Sequence, residues 1–359
     1  MKSIKISIQI FFGWIALIAF ISLAVYYYFY FTSNNNPSSD SIFQLAVNRH
    51  DHNVYLLNID LVKEGSSLFE LANDKGIASI YIFLSKALPF LVTTDMMLIS
   101  FIFNITILLL NYWIYGKISD KLNLGLIGRL SFFVNLSLLY FAQLINKDML
   151  TILLFLLATY AGMIGRHWHL LLLIPFAAFI RIQLVIFILI FIFLASAKKI
   201  SPRFWVVYIF TSLLAAYLSV YFPIIGEDSL GDGFSAYVVN LNNEHLIGYL
   251  LFNPIRVFQF IFDAYLSFDI YTESGTIDFA KLLRLPQLIL LSVLAPYFYK
   301  LYTRWRIYSK SMSRSLVIII LAYACTWLMN PTINARYVML VTPILVLLGL
   351  YVRSNGRHV

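Results

Sequence analysis

The chain is a succession of long apolar runs separated by short polar ones. A membrane-spanning helix needs ~20 mostly apolar residues, within a range of about 17–25. Ten stretches answer to that pattern: 7–31, 96–115, 124–143, 149–164, 168–181, 182–197, 204–224, 283–300, 315–330 and 337–352. The fourth to sixth are short. They are cut from one apolar region, first by Gly165-Arg166-His167-Trp168-His169 and then by Arg181. Two further runs, 76–92 and 247–266, carry polar residues in their middle: Lys86 and Pro89 in one, Asn253, Pro254, Arg256 and Asp263 in the other. Both read as amphipathic interfacial or re-entrant helices. The run 7–31 exceeds the about 7–15 residues of a signal-peptide core and no A-x-A site follows it, so a retained first helix is predicted. The pattern therefore predicts an all-α polytopic membrane protein: one integral-membrane domain over 1–359, with two large outer loops at 32–95 and 225–282.

Composition agrees. Hydrophobic residues make up 61% of the 359 positions and charged residues 12%, against about 45–50% and about 25% in soluble domains. An ordinary soluble enzyme and a disordered chain are excluded. The lone cysteine, Cys325, excludes an internal disulfide and any C-x-x-C metal site. No internal repeat is visible, which counts against a transporter built from repeats.

Charge orients the spans. With both termini cytoplasmic, the inner segments hold 16 of the 26 Lys and Arg and one acid, Asp120; the other 10 basic residues and 16 of the 17 acids fall outside. Every inner loop then obeys the positive-inside rule. Counting 76–92 as a span would turn Lys198, Lys199 and the basic 300–314 loop outward. The net charge of +9 is thus a topology signal, and no nucleic-acid partner is inferred from it.

No inner loop exceeds about 14 residues, and neither a P-loop nor a G-x-G-x-x-G motif is present. ATP-driven transport within this chain is excluded, and any active site is expected to face outward. No Asp or Glu lies in the central part of a span, which argues against an ion-coupled carrier.

Loop one carries Asp40, Asp51, Asp60, Glu64, Glu70 and Asp74, with Asp95 at its end. Such an acid is either solvated surface or a general base for a hydroxyl. His50-Asp51-His52 suggests a metal only as a strand, because i and i+2 share a face there and not on a helix. With no third ligand apparent nearby, no metal and no cofactor are expected. Asn146-Lys147-Asp148 lies between two spans on the outer side; it is either a self-neutralising turn or a functional pair. Arg181, followed by Gln183, must line a cavity, snorkel or pair. Arg181, Arg256, Arg284, Arg336 and Lys147 would form a cationic cluster in an acidic exterior, suited to a lipid-linked phosphate or pyrophosphate. Arg284, Arg336 and Tyr337 equally fit interface anchors. Asn104, Asn111 and Asn135, inside spans, are expected to bond neighbouring helices.

In outline the chain resembles bacterial Wzy-type polysaccharide polymerases, and more loosely the GT-C membrane glycosyltransferases. The resemblance rests on Asp51-x-x-x-Tyr55 in the first outer loop and on NDKGIASIYIFLSKALPFL, like a short amphipathic helix before the second span. It rests further on Lys147-Asp148, the GRHWH turn followed by Arg181, YLLFNPIRVFQFIF around Arg256, and Asn334-x-Arg336-Tyr337 with Pro343 in the last span. The first loop lacks an Asp-Asp or Asp-Glu pair and there is no Trp-Trp-Asp, departures that favour the polymerase. The resemblance implies transfer of a growing glycan from undecaprenyl pyrophosphate to a new lipid-linked repeat unit, at the outer face of the bacterial inner membrane. It implies Arg181, Arg336, Arg256 and Lys147 on the pyrophosphate and Asp51 or Asp40 as base. Asp148, Gln183, Tyr337 and Arg284 are further candidates. Implied partners are the lipid-linked glycan, membrane lipid and a chain-length regulator. A GT-C transferase using a polyprenyl-phosphate sugar, an O-antigen ligase and a lipid-linked oligosaccharide flippase are the competing readings.

Overall fold

The computed structural model describes residues 2–33, 43–44, 50–65, 75–87, 96–221, 234–252, 277–278, 282–309, 311–327 and 336–355. Asp40, Arg256 and most of the 247–266 stretch lie outside the described residues. The described chain is helical apart from one parallel bridge of two residues a side, Phe43–Gln44 with Ile277–Asp278, which ties the 32–95 segment to the 225–282 segment.

The helices are α1 (Lys2–Ser33), α2 (His50–Lys63), α3 (Lys75–Ala87), α4 (Met96–Lys121), α5 (Gly125–Leu130), α6 (Ser137–Phe141), α7 (Asp148–Met163), α8 (Ile174–Ile180), α9 (Ile182–Ala195), α10 (Ile200–Tyr221), α11 (Phe234–His245), α12 (Leu285–Thr303), α13 (Trp305–Tyr308), α14 (Arg314–Thr326) and α15 (Arg336–Asn355). Within the described residues, each of the ten apolar stretches is largely occupied by helix. Among the described residues four segments are long and apolar enough to cross a membrane: Ser7–Phe29, Met96–Lys121, Ile200–Leu218 and Tyr337–Asn355.

Two stretches depart from a simple rod. Residues 124–143 are not one helix but α5, a 3-10 turn over Ser131–Val134, and α6. The break falls at Asn135, whose side-chain amide donates to the Met339 carbonyl of α15 at 3.2 Å. Irregular backbone at such depth survives only where protein supplies partners. The fifth stretch begins as a 3-10 helix, His167–Leu173, before α8.

The core sits around α7, which packs against α4, α9, α14 and α15. Its Ile152, Leu154, Phe155, Leu156 and Ala158 are buried, as expected of a helix apolar on all sides. Gly162 lets α7 approach Ser315 of α14 closely, the small-residue contact that membrane helices use. The outer helices do the opposite. Phe11, Phe12, Trp14 and Ile18 of α1 and Trp205, Val206, Phe210 and Tyr217 of α10 are exposed. A soluble monomer rarely exposes that much contiguous apolar surface; this is the surface of a helical membrane protein.

The described part of the amphipathic stretch 76–92, residues 76–87, lies in α3, a 13-residue helix. At ~1.5 Å per residue it is about 20 Å long, short of a ~30 Å hydrocarbon core. It packs on α2, α4 and α8. Gly76 lies against the backbone carbonyl of Phe179, where a Cβ would overlap it.

Contacts sort by end. At one end Gln9 meets Gly125, Arg129 pairs with Asp120, His167 meets Ser196 at 3.1 Å, Arg314 donates to the Ala197 and Ser309 carbonyls, and Tyr308 meets Tyr351. At the other, Lys147 meets Tyr55, Asp148 meets Arg181, and Tyr323 donates to the Tyr337 carbonyl at 2.8 Å.

Candidate functional site

Asn146 builds the turn that presents Lys147 and Asp148. Its Oδ1 accepts the backbone N–H groups of Asp148 and Met149, each at 3.1 Å. Those are among the donors that a helix start leaves without intrahelical partners. Asp148 in the first turn adds a negative charge where the helix dipole favours one. From behind, the Asn104 amide of α4 donates to the carbonyls of Phe141, Ala142 and Leu144 at 3.3, 3.2 and 2.8 Å. Asn111 donates to the Met149 carbonyl at 3.2 Å. The three span asparagines thus all bond other segments, as the sequence suggested.

Arg181 is the single extended residue between α8 and α9, at φ −169° and ψ 123°. Breaking the helix there turns its side chain into the bundle. It does not snorkel: Lys147, Asp148 and Arg181 are 7%, 2% and 5% exposed. Arg181 Nη1 lies 3.9 Å from Asp148 Oδ1, within electrostatic reach and beyond hydrogen-bond length. Asp148 thus faces the arginine, a partner that sequence spacing did not suggest.

Aromatic rings wall the group. Lys147 Nζ stands 5.7 Å from the centre of the Tyr55 ring, and the Arg181 guanidinium carbon 6.0 Å from that of Trp327. Both distances suit cation–π contact. Tyr323 stacks on Trp327 at 5.5 Å and 11°, and Phe155 meets Trp327 edge-on at 5.1 Å. Because Tyr323 also holds the Tyr337 carbonyl, the start of α15 is anchored to this wall. Arg336 opens that helix.

The candidates divide accordingly. Lys147, Asp148, Arg181 and, through its carbonyl, Tyr337 are brought together. Asp51 lies in the first turn of α2, four residues before the buried Tyr55. The side chains of Asp51 and Arg336 lie outside the described residues, as do Asp40 and Arg256 entirely. Arg284 stands at the N-cap position of α12, and Gln183 lies in the first turn of α9. The helical course of His50-Asp51-His52 removes the strand geometry in which the two histidines would share a face. Among the described residues no cluster of three metal-ligating side chains occurs.

Sequence reading missed Trp327 and Tyr323. At the end of a span they look like interfacial belt residues; only the meeting of α14 with α7 and α9 puts them at Arg181.

Chemically, the described residues offer a guanidinium facing a carboxylate, with an ammonium on the adjoining residue, among aromatic rings. Groups of that kind can hold an anion next to an apolar or sugar-like surface. No family model matches the chain, nor does any curated protein or solved structure.

Proposed function

We propose that the chain is an outward-facing membrane glycosyltransferase of the Wzy polymerase type, acting on undecaprenyl-pyrophosphate-linked repeat units at the outer face of a bacterial inner membrane. The observation that carries the reading is the burial of Arg181 and Lys147 together at one end of the bundle, among Tyr55, Tyr323 and Trp327. Guanidinium and ammonium groups are the side chains that pair with phosphate oxygens. The topology supports the same side. The contacts sorted by end above each join segments that the ten-span reading puts on one side of the membrane, and the lone inner acid, Asp120, is paired with Arg129.

In this reading the acceptor sugar hydroxyl attacks the anomeric carbon of the growing glycan. The C–O bond to the pyrophosphate breaks and its electrons leave with the phosphate oxygen. Arg181, Lys147 and Arg336 stabilise that developing charge; Arg256 and Arg284 are further candidates for the same task. Asp51, four residues before Tyr55, takes the hydroxyl proton, with Asp40 as the other candidate. The lipid stays in the bilayer and no metal is needed to neutralise the leaving group. A chain-length regulator would dock alongside.

The test is a surface-glycan gel on the native host with the gene deleted, then restored as wild type, Arg181→Ala or Arg336→Ala. Collapse of the ladder to a core bearing one repeat unit, rescued by wild type and by neither variant at equal expression, supports the polymerase. Disappearance of the glycan altogether turns the assignment to a flippase, ligase or earlier transferase. A surviving ladder with shifted bands turns it to a GT-C transferase that decorates the glycan.

A further inference from the structure

Two donors in the anion seat have no acceptor among the described residues: Arg181 Nη1 and Trp327 Nε1. Both belong to side chains at least nine-tenths buried, Arg181 at 5% and Trp327 at 1% exposure. The guanidinium carbon is 6.0 Å from the indole ring centre, so the two donors belong to neighbouring side chains. Neither residue can accept a hydrogen bond, because guanidinium and indole nitrogens only donate. The indole has no freedom to turn away. Tyr323 stacks on one face, and Phe155 and Phe187 meet the ring edge-on at 5.1 and 6.0 Å.

We propose that Trp327 is a further phosphate-binding residue: its indole N–H and Arg181 Nη1 donate together to oxygens of one phosphoryl group. Asp148 Oδ1 faces Nη1 at 3.9 Å, beyond hydrogen-bond length, so it attracts the guanidinium without taking the Nη1 hydrogen bond. The shared ligand chemistry is a phosphate or pyrophosphate oxygen, carried on a lipid or free. The proposal rests on the reading of this site as a pyrophosphate seat and adds to it a neutral donor that fixes where the phosphoryl group sits. A guanidinium alone tolerates a range of approach angles; a locked N–H does not.

The experiment uses the full chain in lipid nanodiscs with 15N-labelled tryptophan. The Trp327 indole resonance is assigned by substituting each of the other tryptophans in turn. Undecaprenyl pyrophosphate incorporated in the nanodisc is expected to move that N–H proton downfield, as a hydrogen bond to an anionic oxygen does. Trp327→Phe, which keeps an aromatic ring and deletes the donor, is expected to weaken binding about tenfold or more, as for a lost hydrogen bond to a charged group. Arg181→Gln is expected to abolish binding. Inorganic pyrophosphate in plain nanodiscs separates the sources: a shift with it alone supports the seat and makes a free anion its occupant. If Arg181→Gln abolishes lipid binding while the wild-type Trp327 resonance stays put, the role of Trp327 is overturned and the pyrophosphate seat survives. If Arg181→Gln binds like wild type, the seat itself is overturned. The wild-type resonance needs no Trp327 variant, so a misfolded Trp327→Phe leaves the test intact.

Discussion

Arg181 and Asp148 stand or fall together. Removing one partner of a buried ion pair leaves the other charge without compensation, at a cost of roughly 3–5 kcal/mol. The 3.9 Å separation puts Asp148→Asn near the lower end, about 3 kcal/mol. Thermal unfolding in detergent should show a clear loss for Asp148→Asn and a partial recovery in Asp148→Asn/Arg181→Gln. Equal stability of the single variant and wild type would mean the two side chains are not energetically coupled. Arg181→Lys keeps the charge but loses the fork that grips two phosphate oxygens, so the glycan ladder should shorten with little change in stability. At the opposite end of the bundle, burial first and Arg314 second hold the His167 imidazole below its ordinary 6.5. The unfolded chain binds that proton at higher pH than the folded one. The stability tied to a neutral His167 is therefore present above about pH 6.5 and is lost as pH falls below it. Detergent unfolding at about pH 7.5 and about pH 5.5 should show a smaller difference for His167→Gln than for wild type; an identical difference would rule the ring out.

Among the elements, α4 sets the height of the start of α7. Asn104 holds the carbonyls of Phe141, Ala142 and Leu144, and Asn146 then caps α7. Asn104→Leu leaves those carbonyls buried without that donor, at about 1–3 kcal/mol, and frees the turn that presents Lys147. Glycan polymerisation should fall more than the expressed amount of protein does; a loss of both in parallel would make Asn104 structural only. How the site was assembled was partly legible here. The apolar runs marked helix existence, and the cut at Arg181 marked a true break, because a charged residue between two such runs has no lipid-facing solution. The interruption at Asn135 was not legible: a single Asn in LSFFVNLSLLYF reads as a bond to a neighbouring helix, and only the Met339 carbonyl beside it explains the change of course.

For the whole molecule, the sidedness is testable directly. In a Cys325→Ala background, cysteines at Lys117 and Lys198 should resist a membrane-impermeant maleimide applied from the periplasmic side. A cysteine at the exposed Asp60 of α2 should react. Labelling at Lys117 or Lys198 would invert the bundle and move Arg181 and Lys147 to the cytoplasmic face, where the proposed reaction has no substrate.

Sequence alone determined that this is a helical membrane chain, where its apolar segments run and which loops carry basic charge. Those properties are summed over many residues, and the bilayer acts on each segment before any helix meets another. It also singled out Lys147, Asp148 and Arg181, because charge between apolar runs is conspicuous in one dimension. Which charge faces which was decided only by tertiary structure. Asp148 sits beside Lys147 in the chain yet meets Arg181, since the turn at Asn146 and the extended backbone at Arg181 bring two helix ends to one point. Trp327 and Tyr323 joined the site for the same reason. Aromatic residues at a helix end look alike along a sequence, and only the packing of α14 against α7 and α9 gives two of them a buried cation to face.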